Sequence, residues 1–242
     1  ILDDMTDAIA SSDIKDNFSD TLVNNYVRDG KNYAVPKDFD TNALWYNKDL
    51  FDQAGVEYPT DDMSYEDLVA LATELKDKLP EGVYPFACPV DFQTWYYQTV
   101  YANGGWILND DATETGYGDA KTQEGIQCWI DMIDAGLSPS ASTLSETGSD
   151  AMFEGEQIAM TLAGSYMVPE YASNDTIKDK IDCVEVPTFN GVEDNCINGL
   201  GFAVYEGYKQ KEEAEKFAIW MGSSEAQKIQ GETGVVISAR SD

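Results

Sequence analysis

The 242-residue sequence contains no histidine. That removes Ser-His-Asp and Cys-His catalysis, and with them the commonest transition-metal ligand, so any enzyme reading must rest on carboxylates, Tyr, Lys or Cys. Basic residues are scarce as well: 15 Lys and Arg stand against 45 Asp and Glu, a formal charge of -30. Such a chain repels phosphate backbones and anionic headgroups, which excludes nucleic acid and basic-patch membrane binding as expected partners. A neutral or cationic partner fits better, although acidity by itself chiefly reports a solvated surface. The four cysteines, Cys88, Cys128, Cys183 and Cys196, show neither C-x-x-C spacing nor clustering, which disfavours zinc and thioredoxin-like chemistry. A Cys183–Cys196 disulfide and four buried free thiols both stay open, and no metal or cofactor is expected. No run approaches the roughly twenty apolar residues of a membrane span, and no signal peptide is seen. Because the sequence opens on Ile1 and stops at Ser241-Asp242, it reads as an excerpt of a longer protein.

What is present is 43% apolar and 12% aromatic, enough for a sizeable core in one large domain or two modest ones. Short β-like runs alternate with amphipathic helices, which points to α/β layering. Apolar positions at helical spacing (Phe18, Leu22, Tyr26) are scattered before Val27, and "KNYAVPKDFDTNALWYN" is extended, with Pro36 barring a helix. "YNKDLFDQAG" is a short helix closed by Gly55. Ser64-Tyr65-Glu66-Asp67 fits a capping box, followed by a stripe of Leu68, Leu71, Ala72, Leu75 and Leu79 that ends before Pro80. An aromatic-rich helix in "DFQTWYYQTVYANGG" stops at Gly104-Gly105. Another stripe, from Lys121 to Asp134, is closed by Gly136. "GEQIAMTLAG" is a buried strand over Ile158 to Leu162 that turns at Gly164, with "SYMVPEYA" starting a helix. "CVEVP" and "LGFAVY" read as strands, Glu213 to Met221 as a helix, and a further helix begins near Ser224-Glu225.

The order of these segments resembles that of extracellular solute-binding proteins of ABC importers, in their sugar-binding branch. The resemblance is carried by "GKNYAVPKDFDTNALWYNKDLFDQAGVEYPTDDMSYEDLVALATEL", then "YANGG", "AMFEGEQIAMTLAGSYMV" and "GLGFAVYEGYKQKEEAEKFAIWMGSSEAQKIQGETGVVISAR", covering nearly the whole chain. It implies a periplasmic-binding-protein-like two-lobe α/β fold with the second lobe complete and the first partial: residues 1–42 a partial first lobe, 43–198 the second lobe, 199–242 the return segment of the first. It also implies reversible capture of a carbohydrate, an oligosaccharide, in a cleft that closes about a hinge. The partners implied are that ligand and the permease subunits of the transporter. The location implied is extracellular, on the cell surface or periplasmic, with membrane contact only through a lipid anchor on the full-length protein.

A sugar site needs aromatic faces to stack on and planar polar groups to hold the hydroxyl rim. By resemblance, Asp40 is an acidic contact just before the first crossing, with Asp38 behind it; both are equally readable as turn residues. Asp91, Phe92, Trp95 and Tyr96 fall where the family presents cleft aromatics, and core packing is the competing account of them. Tyr166 follows a strand end, where backbone N–H groups are also presented. Asn198, Gly199 and Gly201 sit at the return crossing, where glycine serves either ligand approach or a tight bend. Arg240 lies near the expected cleft or is surface charge. Trp45 and Tyr46 belong to the crossing strand and are expected to pack beneath the cleft. A binder of a cationic or peptide-like solute on the same fold is the alternative. Less favoured is a glycan-acting enzyme built on two carboxylates, since no motif singles out such a pair.

Overall fold

The structure is a computed structural model that describes residues 1–242 apart from 89, 91, 235 and 242, and for Thr94 and Trp95 the backbone alone. The chain forms two compact units, one of residues 41–196 and the other of residues 1–40 with 197–242.

The 41–196 unit is built on a four-stranded sheet in the order Tyr84–Ala87, Ile158–Gly164, Asn42–Asn47, Ile181–Val184. The first pair is parallel and the others antiparallel, in a register that sets Leu44 opposite both Leu162 and Val184. All seven residues of "IAMTLAG" are buried, as a strand covered on both faces requires. Side chains alternate across the pleat, so the two adjacent aromatics part company. Tyr46 joins Leu44, Phe51, Leu68, Phe86 and Trp129 in the main core, whereas Trp45 joins Phe153, Met167 and Tyr171 in another. Trp45 donates from Nε1 to the Ala163 carbonyl at 3.2 Å and meets the Tyr171 ring edge-on.

Helix ends follow their local chemistry. Asn47 accepts from Leu50 N to start the Lys48–Ala54 helix, and Gly55 closes it at φ 63°, a conformation that favours glycine. Ser64 and Asp67 form the reciprocal capping box of the Tyr65–Lys76 helix, which stops at Lys76 rather than running to Leu79. Asp119 caps the Ala120–Asp134 helix through Lys121 N and Thr122 N. A Cβ at Gly125 would lie 2.7 Å from Val100 Cα, so glycine lets this helix approach the Gln93–Ala102 helix, where Thr99 Oγ1 donates to the Gly125 carbonyl at 2.6 Å.

In the other unit the strands are fragments: Val27–Arg28 with Lys31–Asn32, Val35–Pro36 with Gly201–Phe202, and Asp38–Phe39 with Ile237–Ser238. "LGFAVY" therefore supplies a two-residue strand, plus an isolated bridge between Tyr205 and Leu2. "CVEVP" in the 41–196 unit is likewise shifted, the strand being Ile181–Val184. The opening segment divides into three short helices, Thr6–Ala10, Ile14–Asn17 and Asp20–Asn24. These pack Ile9, Ile14, Phe18 and Leu22 against Val35, Val204 and Ala218. Lys211–Met221 and Ser224–Glu232 complete the unit's helices among the described residues.

All four cysteines are free, so the Cys183–Cys196 disulfide does not form; Cys88 is buried, Cys128 and Cys196 are half-buried and Cys183 is exposed on the outer strand of the sheet, which also corrects the reading of four buried thiols. No helix among the described residues is long and apolar enough to cross a membrane.

Candidate functional site

Two strands of the 41–196 sheet, Tyr84–Ala87 and Ile158–Gly164, run parallel, so both C-terminal ends point to one edge of the sheet. The chain leaves the first toward the aromatic helix Gln93–Ala102 and the second directly into Ser165–Met167, a single turn of 3-10 helix that carries Tyr166. Ser165 N donates to the Thr41 carbonyl at 3.0 Å, which pins the turn to the start of the adjacent strand. Tyr166 is 37% exposed, and its ring lies against Gly164 so closely that a Cβ there would collide with it.

At the same edge Asn42 donates from its backbone N to Asn195 Oδ1 at 3.0 Å and accepts from Asn195 Nδ2 at 2.8 Å. The Asn195 amide thus imitates a rung of the ladder and ties the 185–196 loop to the strand start. Sequence reasoning missed it, because the partners lie 153 residues apart. Tyr96 is half-buried, with its hydroxyl paired to that of Tyr117 at 2.8 Å and its ring edge-on to Tyr97. Burial, followed by the Tyr117 hydrogen bond, pushes the Tyr96 phenol well above its ordinary value, keeping it protonated and neutral. Tyr117 was another omission; its one signal is an aromatic held between two glycines, Gly116 and Gly118. Phe92 caps the aromatic helix and packs against the main core. Asp91 and the side chain of Trp95 lie outside the described residues.

The other expected residues belong to the 1–40 and 197–242 unit. Asp40 and Asn198 exchange backbone hydrogen bonds of 2.8 and 3.3 Å, so the structure brings these two together. The Asp40 carboxyl is raised above the usual carboxylate range by burial and then by the nearby Asp38 charge. Asp38 is buried, accepting from Leu200 N at 2.9 Å and from Lys37 Nζ at 2.6 Å, and so holds the return segment in register. At Gly199 the close neighbour is the Asp38 backbone, and at Gly201 it is the Tyr26 ring and Ala34. In both places glycine admits packing within the unit.

Arg240, expected beside the ligand or on the surface, has a side chain only 3% exposed. Its NH2 group reaches Asp13 Oδ2 at 2.8 Å, NH1 donates to the Gly222 carbonyl at 3.1 Å, and the guanidinium lies 5.9 Å from the Phe18 ring centroid. The structure gives it an internal fastening role, which corrects the surface-charge account of the residue. No cluster of three or more His, Cys, Asp or Glu side chains suited to a metal occurs among the described residues.

The model of the family described as bacterial extracellular solute-binding protein matches residues 2–228. The chain belongs to this family. Its members are binding proteins rather than enzymes, they act outside the cell, and the fold is their two-lobe α/β fold, of which this chain carries a part. A binding protein of Brucella abortus is 28% identical over 222 residues, covering 87% of this chain and 51% of its own length. The arabinooligosaccharide-binding protein of Halalkalibacterium halodurans is 24% identical over 159 residues, 63% of this chain and 34% of its own length. An ABC substrate-binding protein of Listeria monocytogenes, solved in complex with cycloalternan, superposes with a TM-score of 0.88 at 29% identity, covering 100% of this chain and 62% of its own. A Streptomyces glaucescens receptor solved unliganded and with acarbose matches at 23% identity and TM-score 0.84, covering 99% of this chain and 61% of its own, a likeness of fold. The chain thus spans about half the length of the Brucella relative and less than two thirds of these solved structures.

Proposed function

We propose that this chain is part of the substrate-binding component of an ABC importer. It captures a carbohydrate, an oligosaccharide, reversibly between two lobes and delivers it to permease subunits by hinge closure, with no catalytic step. The observation that carries this reading is the match, over the whole chain and at 29% identity, to an ABC substrate-binding protein holding cycloalternan. In this reading the 41–196 unit is the complete second lobe, and residues 1–40 with 197–242 are parts of the first. Tyr166 is the stacking face, partly exposed at a strand end as a sugar platform must be. Asp40, Asn198 and Gly199 are the further contacts in this reading, and Arg240 acts by fastening its own unit. Population shift between open and closed forms couples capture to docking. A lipid anchor, where one tethers the full-length protein, is the sole membrane contact.

The test is a thermal-shift screen of the full-length protein over linear and cyclic oligosaccharides, amino acids and polyamines, followed by calorimetry on the hits. An oligosaccharide binds, and Tyr166→Ala weakens it at least about tenfold, the size expected for losing one stacked ring. A response to polyamines with none to glycans would replace this reading by that of a cationic-solute binder. Release of shortened glycan would reveal an enzyme.

A further inference from the structure

A cavity of about 490 Å3 opens in the 41–196 unit beside the Ala120–Asp134 helix, within the size range of small-molecule sites. Its floor is Trp129, its walls include Ile130, Ile133 and Val90, and Tyr96 and Tyr117 stand at its side. Among the described residues no charged side chain lines it. The two phenol hydroxyls hydrogen-bond to each other, and the Trp129 Nε1 is spent on Thr99 Oγ1 at 3.0 Å. Among the described lining residues, what faces the space is ring and aliphatic carbon, with the tyrosine pair as the polar handle.

The walls are braced from behind. Trp129 stacks on Phe86 at 5.8 Å and meets Tyr65 edge-on at 5.3 Å, while the close contact at Gly125 locks its helix onto the Gln93–Ala102 helix. A braced apolar cavity cannot collapse to fill itself, so it is preorganised for an occupant. Access exists, because Tyr117 and Ile130 are exposed large hydrophobics. A charged occupant would lose its hydration and meet no counter-charge among the described lining residues, and a sugar would leave its hydroxyls unpaired against isoleucine. A flat neutral ring loses little and gains contact with the Tyr96 and Tyr117 rings and the isoleucine side chains, over the buried Trp129.

We propose that this cavity is a second binding site, for a small neutral aromatic molecule, separate from the carbohydrate site. Tyr96 belongs to it, with its hydroxyl shared between the Tyr117 clasp and the occupant. The site depends on no part of the transport reading and stands or falls separately.

The experiment titrates the full-length protein with N-phenyl-1-naphthylamine, a neutral dye that brightens in apolar surroundings. Emission rises saturably with one site per chain. Ile130→Trp, which grows a partly exposed side chain at the cavity wall, weakens the dye at least about tenfold, and Tyr117→Ala, which removes a ring from the side, weakens it severalfold. Ile229→Trp, at an exposed isoleucine of the other unit, leaves it unchanged. Circular dichroism melts confirm that the variants fold. Either no saturable rise with the unaltered protein, or a rise that both Ile130→Trp and Tyr117→Ala leave intact, overturns the proposal.

Discussion

In the 41–196 unit a seven-residue strand is buried at every position and paired on both sides, whereas among the described residues of the 1–40 and 197–242 unit each ladder has two residues per strand. The first unit is one continuous segment and can nucleate on neighbours in sequence. The second joins chain ends more than 150 residues apart, and its ladders are too short to hold them. Side-chain clasps to distant residues do that work: Arg240 to Asp13, Gln227 Nε2 and Gln230 Nε2 to the Lys37 carbonyl, Leu200 N to Asp38, Lys211 to Asp3. One unit is held by packing; the other adds a set of polar fasteners to a smaller core.

The largest expected effect falls on the packed unit. Phe86→Ala removes a fully buried ring that stacks on Trp129 and should cost about 3–5 kcal/mol by urea unfolding. A loss below 1 kcal/mol would mean that packing is not what holds this unit. Arg240→Met should cost about 2 kcal/mol by withdrawing charge-assisted hydrogen bonds from a buried site while keeping some of the volume. Hydrogen exchange should then quicken across residues 1–40 and 197–242 and leave the Ile158–Gly164 amides protected. Equal quickening in both units would erase the distinction.

The smallest effect is one of pH. Glu156 is held below the usual carboxylate range chiefly by its hydrogen bond from Lys180, with burial opposing and Asn47 assisting. A depressed carboxylate adds stability that is complete above its unfolded value, about 4.3, and is lost as pH falls through its lower folded value. Lys180 is raised by the same bond, so its share is complete below about 10.4 and is lost as pH rises beyond its folded value. Thermal melts between about pH 3 and 7 should therefore show a shallower acid limb in Glu156→Gln. Identical limbs would assign the acid sensitivity elsewhere.

What could be read in advance tracks the distance between interacting residues. The Ser64–Asp67 box, the stop at Gly55 and the buried "IAMTLAG" strand depend on neighbours within a few positions, and each formed where the residues indicated. "LGFAVY" was overextended because its partner, Val35–Pro36, is itself short and includes a proline that cannot donate to the ladder. At the candidate site, the place of Tyr166 was legible from a strand ending on glycine. The fate of Arg240 was not, since its carboxylate lies 227 residues away. Tyr96 was noticed as an aromatic, but its pairing with Tyr117 depends on how two helices lie together.

Under the proposed role of Tyr166 as the stacking face, the contact between Gly164 and the Tyr166 ring couples the two positions in any change of specificity. A side chain at 164 would evict the ring even with Tyr166 intact, whereas a small residue at 166 would vacate the space that keeps 164 restricted to glycine. Under that proposal, a smaller residue at position 166 relieves the closest contacts that a side chain at position 164 would meet.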